Sequence, residues 1–230
     1  EPIQLDLETG TLSRPRIAAQ TDVGWSISAA LPVAGACVYL FADAGDDLES
    51  AAPEAGAAVK FIDPQDRAIL RKVRSYQLGE REIEVVDLVD SPAVPAELGD
   101  WATAIGAEFS GEAEYRIEFD CTAGEAERAQ FLDLGEVNAI AEVWLNSVPL
   151  GRRLWRPFVF TTGDALTPGC NEMRVLVTNT LANQFASNTE VFRKWPQEIF
   201  TTYYARALYF ERQSTASGLT GPLRLLAMRR

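Results

Sequence analysis

Apolar and polar residues alternate with a period of two through much of the chain. Ile3, Leu5 and Leu7 are interleaved with Gln4, Asp6 and Glu8, and Trp25, Ile27, Ala29 and Leu31 with small or polar neighbours. A strand with one buried face requires this pattern, because successive side chains point to opposite faces. Ala36 to Ala42 is apolar on both faces and predicts a central strand. Ile83 and Val85, set among Glu82, Glu84 and Asp87, predict another, and the stretch from Asp43 to Gly56 reads as a loop.

The pattern sharpens downstream. Ala113, Tyr115, Ile117 and Phe119 alternate with Glu114, Arg116, Glu118 and Asp120. Further strands are predicted over Phe131–Leu134, Ile140–Asn146, Pro157–Thr161, Glu172–Thr178 and Pro222–Met228. Short strands separated by turn residues predict an all-β chain built as an antiparallel sandwich or jelly roll. The run Asp90-Ser91-Pro92-Ala93-Val94-Pro95 sets the expected boundary. It divides a smaller β-rich unit over 1–92, or the end of a preceding sandwich domain, from a main sandwich over 93–230. Leu181 to Ser217 follows neither period; Pro196 there suits the first turn of a helix through Ile199, Tyr203, Ala207 and Phe210. No repeat of solenoid length is visible.

Composition narrows the function classes. The 230 residues are 47% hydrophobic, with five Trp, six Tyr and eleven Phe, ample material for packed cores. Lysine and arginine number 21 against 33 acidic residues, a net charge of −12 that repels phosphate backbones and anionic lipid surfaces. Neither nucleic acid nor membrane is therefore an expected partner, and no apolar run approaches the ~20 residues of a membrane helix. The chain contains no histidine. That removes Ser-His-Asp and Cys-His nucleophile systems and most zinc sites, while the paired-carboxylate chemistry of glycosidases stays open. Carboxylates are plentiful, but sequence spacing singles out no catalytic pair. The first residue is Glu1 rather than Met, the mark of a processed chain or part of a longer one.

An ordered series of motifs runs from Phe109 to Thr180. It comprises Phe109-Ser110-Gly111-Glu112-Ala113-Glu114-Tyr115-Arg116-Ile117-Glu118-Phe119, Leu132-Asp133-Leu134-Gly135, Ala141-Glu142-Val143-Trp144-Leu145-Asn146, Leu150-Gly151, Trp155-Arg156-Pro157-Phe158 and Val175-Leu176-Val177-Thr178-Asn179. This series resembles the jelly-roll sugar-binding domain of glycoside hydrolase family 2. The ending Ser217-Gly218-Leu219-Thr220-Gly221-Pro222 and the Thr178-Asn179 strand end are closer to the C-terminal β-sandwich of family 106 α-L-rhamnosidases. The resemblance covers roughly Trp101 to Leu225 and implies a galactose-binding-like jelly roll. The barrel that carries catalysis in those families has no counterpart pattern here, so no catalytic residue is carried over. Ser147 stands where the family usually has glycine after the Val-Trp-Leu strand, which predicts a different turn type or a longer loop through Leu150-Gly151.

The three cysteines, Cys37, Cys121 and Cys170, are too few for a disulfide framework. If the strands predicted from Ala113 onward alternate in direction, Cys121 and Cys170 fall at opposite ends of the sandwich and do not pair. Trp144 reads either as a platform for a sugar ring or as packing on the second face of its strand. Trp155, among Arg152, Arg153 and Arg156, reads as a ligand contact or a packed hairpin arm. Trp195, Tyr203 and Tyr204 are the candidates for an exposed aromatic platform. With Trp155 they form the expected carbohydrate-binding set. No cofactor is required; the acidic loop Asp43, Asp46, Asp47 and Glu49 reads as either a calcium ligand set or a solvated loop.

Taken with the resemblance, these observations imply a non-catalytic accessory region of a glycoside hydrolase resembling an α-L-rhamnosidase. Its partners would be the catalytic domain of the same polypeptide and carbohydrate, in the periplasm or outside a bacterial cell. The alternatives are an autonomous carbohydrate-binding module and a structural or adhesion sandwich without ligand.

Overall fold

A computed structural model describes residues 1–7, 10–16, 18–29, 36–42, 48, 54–65, 67–79, 82–187 and 215–229. The chain divides into two compact units, Glu1–Ala55 with Arg229–Arg230, and Gly56–Met228. In the first, β1 (Pro2–Leu5) lies between β2 (Leu12–Ser13) and β5 (Val38–Phe41), antiparallel to both, and β3 (Ala18–Thr21) pairs with β4 (Gly24–Ile27). The Ala36–Ala42 stretch does form a strand, Val38–Phe41, but among the described residues it lies at an edge of its sheet, and Leu40 and Phe41 are exposed. Runs apolar on both faces are therefore not a sufficient sign of a central strand.

The second unit is an all-β sandwich. Its strands are β6 (Ala55–Ile62), β7 (Ala68–Leu78), β8 (Ile83–Asp87), β9 (Val94–Pro95), β10 (Gly111–Cys121) and β11 (Ala129–Asp133). They continue with β12 (Glu136–Asn138), β13 (Ile140–Leu145), β14 (Val148–Arg153), β15 (Val159–Thr161), β16 (Gly169–Thr178), β17 (Gly218–Gly221) and β18 (Leu223–Met228). One sheet runs β14-β13-β16-β10-β7-β8, with β9 added on β7; the other runs β15-β11-β18-β6. β12 and β17 form a separate antiparallel pair. Tyr115 and Ile117 of β10, Met173 and Val175 of β16, and Val143 of β13 pack in one core with Leu132 of β11, Phe160 of β15 and Leu225 of β18. Fully burying a side chain of this size contributes ~1.5–3 kcal/mol, so the period-two alternation of β10 and β16 is what binds the two sheets.

The division falls at Ala55/Gly56, whereas the sequence placed it at 92. The physical reason is pairing across that expected boundary: Ala68–Ser75 of β7 hydrogen-bond along Gly111–Ile117 of β10. β7 was not legible as a strand, because its outward positions hold Arg71 and Arg74 and a register shift between Glu112 and Ala113 breaks its alternation. Two short helices flank β10: α1 (Ala102–Ile105) precedes it, and α2 (Ala123–Arg128) bridges it to β11. The capping box of α2 is complete: Glu125 N–H donates to Thr122 Oγ1 at 3.3 Å and Thr122 N–H to Glu125 Oε2 at 2.8 Å.

Strand direction differs from the expectation. β14 follows β13 as an antiparallel hairpin and adds one reversal, so β16 runs antiparallel to β10 rather than with it. Cys170 therefore sits opposite Asp120 and Cys121 opposite Gly169. The two cysteines are one register step apart, yet they face opposite sides: Cys121 is buried in the core and Cys170 is exposed. They stay unpaired because of face, not because of distance along the sandwich.

The β13–β14 turn also departs from expectation. Asn146 (φ 48°) and Ser147 (φ 68°) both adopt left-handed backbone, giving a two-residue hairpin turn without a longer loop. Asn146 holds it: its Nδ2 donates to Ala165 O at 2.9 Å and Asn171 Oδ1 at 2.7 Å, and its Oδ1 accepts from Glu172 N–H at 2.9 Å. Those three bonds force the conformation that Ser147 then completes.

Candidate functional site

The residues of the motif series divide by face. Those pointing inward and those at the strand ends hold the fold together. Asn179, just past β16, accepts from Gly111 N–H at 2.8 Å and donates to Phe109 O at 2.8 Å and Ser217 Oγ at 3.0 Å. The Ser217–Pro222 segment is shaped by close approach. A Cβ on Gly218 would lie 2.7 Å from the Tyr115 hydroxyl, and one on Gly135 would overlap the backbone of Gly221. Leu219 N–H donates to the Tyr115 oxygen at 3.2 Å. Burial of that phenol pushes its pKa up to about 12, a rise opposed by the Leu219 N–H and assisted by the charge of Asp100. These positions are committed to packing.

The outward positions of the seven-strand sheet form a different surface. Pairing places Trp144, Arg174, Arg116 and Ile69 side by side across β13, β16, β10 and β7. The next row is Glu142, Leu176, Glu114 and Arg71 across the same strands. Arg116 and Arg174 stand directly opposite one another, an arrangement of like charges that costs stability unless a counter-charge intervenes. Glu114 intervenes. Its side chain is only 10% exposed, with Arg116 Nε at 2.8 Å from Oε1, Arg71 at 3.8 Å from Oε1 and Arg174 Nε at 3.7 Å from Oε2. The Glu114 hydrogen bond raises the pKa of Arg116 further above its ordinary value, so this guanidinium is charged at every physiological pH. The Arg174 guanidinium lies 3.9 Å from the centroid of the Trp144 ring, a stacked cation–π contact. Beside this cluster is a recess of about 230 Å³ lined by Ile69, Arg71, Ala93, Glu114 and Arg116.

Of the expected carbohydrate-binding set, Trp155 lies in the segment after β14 and is half exposed. The three arginines around it do not converge on its ring. Arg152 pairs with Glu142 at 3.0 Å and Arg156 with Glu136 at 3.2 Å, while Arg153 donates to Val159 O and lies over Phe160. Trp195, Tyr203 and Tyr204 lie outside the described residues, as do Asp43, Asp46, Asp47 and Glu49 of the acidic loop. Among the described residues no group of three or more His, Cys, Asp or Glu is placed to hold a metal ion, and no helix is long and apolar enough to cross a membrane. Trp144, read from sequence as platform or packing, is covered on one face by Arg174. The arginine cluster on Glu114 escaped the sequence reading altogether. Its members come from three strands, and the one available signal was the charged alternation of β10, which reads equally as a solvated face.

A second, more open recess of about 500 Å³ is lined by Lys72, Ser75, Gln77, Leu88, Asp90 and Phe109, with Lys72 Nζ 5.0 Å from the Phe109 centroid. Phe109 is almost fully buried, so it offers a ligand little aromatic face.

The chain matches no protein-family model and no curated protein. Among solved structures it is similar to a rhamnosidase from Novosphingobium sp. PP1Y, at 24% identity and a TM-score of 0.55, over 98% of this chain and 20% of that one. It matches a Bifidobacterium dentium β-glucuronidase at 18% identity and a TM-score of 0.45, over 76% of this chain and 31% of that one. A β-D-mannosidase from Dictyoglomus thermophilum matches at 14% identity and a TM-score of 0.40, over 73% and 22%. The chain thus spans about a fifth of the length of the rhamnosidase. What the rhamnosidase likeness establishes is the fold: a β-rich, sandwich-containing architecture of a kind found within that hydrolase.

Proposed function

We propose that this chain is an accessory β-sandwich region of a glycoside hydrolase resembling an α-L-rhamnosidase, bracing the catalytic domain of the same polypeptide and contributing a carbohydrate contact beside it. The observation that carries the reading is coverage. Nearly the whole chain corresponds to one-fifth of a rhamnosidase, as a supporting region would. The family motifs agree with it, since Gly135, Asn179 and Gly218 are spent on packing and not on chemistry.

The test compares the parent polypeptide with this chain alone on an aryl α-L-rhamnoside. Hydrolysis by the parent and none by the chain is the expected result. Turnover by the isolated chain, abolished by changing one of its carboxylates, would overturn the proposal, as would a parent without action on rhamnosides. Exposure of Trp155 keeps a second reading in play, an autonomous carbohydrate-binding module. Saturable glycan binding by the isolated chain, lost in Trp155→Ala, would select that reading.

A further inference from the structure

We propose that Arg71, Arg116 and Arg174, arrayed around Glu114, form a binding site for the carboxylate-bearing unit of an acidic sugar, a uronate. This deepens the proposed function and rests on its carbohydrate-contact part. Charge placement is the first reason. Elsewhere on the same face each arginine meets its own carboxylates: Arg67 contacts Asp120 and Glu118, Arg74 contacts Asp87 and Glu112, and Arg152 contacts Glu142. Here three guanidinium groups share one carboxylate, and among the described residues none of the three makes a second ion pair. Two of the three, Arg71 and Arg116, line one recess together with a single carboxylate, Glu114, while Glu172 acts on Arg116 only through its charge at longer range, in a chain whose net charge is −12.

Donor geometry is the second reason. Arg116 and Arg174 turn Nε toward Glu114, so their terminal nitrogens are left for other acceptors, and the two side chains are 45% and 35% exposed. Paired guanidinium nitrogens recognise a carboxylate bidentately. Stacking of Arg174 on Trp144 holds that guanidinium in place before any ligand arrives, which lowers the ordering cost of binding. Glu114 adds selectivity. It lines the recess as an acceptor and so favours an anion that also carries hydroxyl donors over a simple carboxylate or phosphate. Ile69, 43% exposed, and Ala93 supply the apolar wall against which the C–H face of a sugar ring packs. The recess, at about 230 Å³, falls below the ~300–1,000 Å³ of drug-sized pockets and admits a single residue.

The experiment titrates the chain with methyl galacturonoside and methyl glucuronoside, with methyl galactoside, acetate and inorganic phosphate as comparison arms. Arginine Nε–Hε resonances are the readout. The expected result is a saturable response to a uronoside at Arg116 and Arg174. In Arg116→Gln the affinity falls by about tenfold, the loss of one charge-assisted hydrogen bond. Arg71→Gln falls in the same direction, whereas Arg128→Gln on α2 stays at the parent value. Backbone amide spectra show whether each variant keeps its fold. Equal response to the neutral galactoside, equal response to acetate or phosphate, insensitivity to both Arg116→Gln and Arg71→Gln, or no uronoside response would each overturn the site. Rhamnoside turnover is a separate readout. An inert chain with an active parent and no uronoside response would remove this site and leave the accessory reading standing.

Discussion

Asn179 ties the entry of β10 to the end of β16 through one buried side chain, and truncating it to alanine measures how much that side chain carries. The residue is 7% exposed. It accepts from Gly111 N–H at 2.8 Å and donates to Phe109 O at 2.8 Å, Ser217 Oγ at 3.0 Å and Asn183 Oδ1 at 3.2 Å. Asn179→Ala strips the side-chain partner from a buried donor, Gly111 N–H, and from a carbonyl at the entry to β10. Each buried polar group left unsatisfied costs ~1–3 kcal/mol, so the expected loss is about 3 kcal/mol. For a unit of this length that lowers Tm by ~6–12 °C. Urea unfolding gives the free energy, and amide exchange at the start of β10 locates the damage. Ser217→Ala removes a hydroxyl that touches both Asn179 and Asn183. The Asn179→Ala/Ser217→Ala double variant should therefore lose less than the two singles together, with a coupling of at least ~0.5 kcal/mol. A loss below ~1 kcal/mol for Asn179→Ala, with strictly additive singles, would refute the claim that this network closes the end of the sandwich.

Two further outcomes follow from the same geometry. The Tyr115 phenol has its pKa raised to about 12 by burial, against ~10 when unfolded. A difference of that size corresponds to ~3 kcal/mol; this contribution is fully present below pH ~10 and disappears as pH rises through the folded value. Absorbance titration at ~295 nm, where phenolate absorbs, should find Tyr115 ionising only with loss of the native sheet signal; ionisation near its ordinary value in an intact fold would contradict the burial argument. Ser147→Gly should stabilise by ~0.5–1 kcal/mol, since the left-handed backbone at φ 68° costs a residue with a Cβ ~1–2 kcal/mol, partly offset by the extra unfolded-state freedom of glycine. A lowered urea midpoint would show that the turn is held by Asn146 without strain at Ser147.

Much of the second unit could be read directly. β10, β13, β16 and β18 lie where clean alternation put them, because a strand buried on one face writes its period into the sequence. β7 and β14 were missed for physical reasons. β7 spends its outward positions on arginine and shifts register against β10, while β14 contains Pro149 and Gly151 and is mostly exposed. Without β14 the expected direction of β16 is reversed; with it, Cys121 and Cys170 lie one register step apart and are kept from pairing by facing opposite sides of the sheet.

Local chemistry in the chain itself determined that this protein is all-β, that the chain offers no histidine for a nucleophile system, and that Asn146–Ser147 is a turn. Each of these depends on residue type and near-neighbour spacing alone. Where the chain divides, which charged residues meet, and what Trp144 touches were decided only in three dimensions. Arg71, Glu114 and Arg174 are separated by 43 and 60 positions and come together because β7 and β16 flank β10. Sheet order is set by which hydrophobic faces bury best against one another, a property of the whole sandwich that no local window of sequence contains.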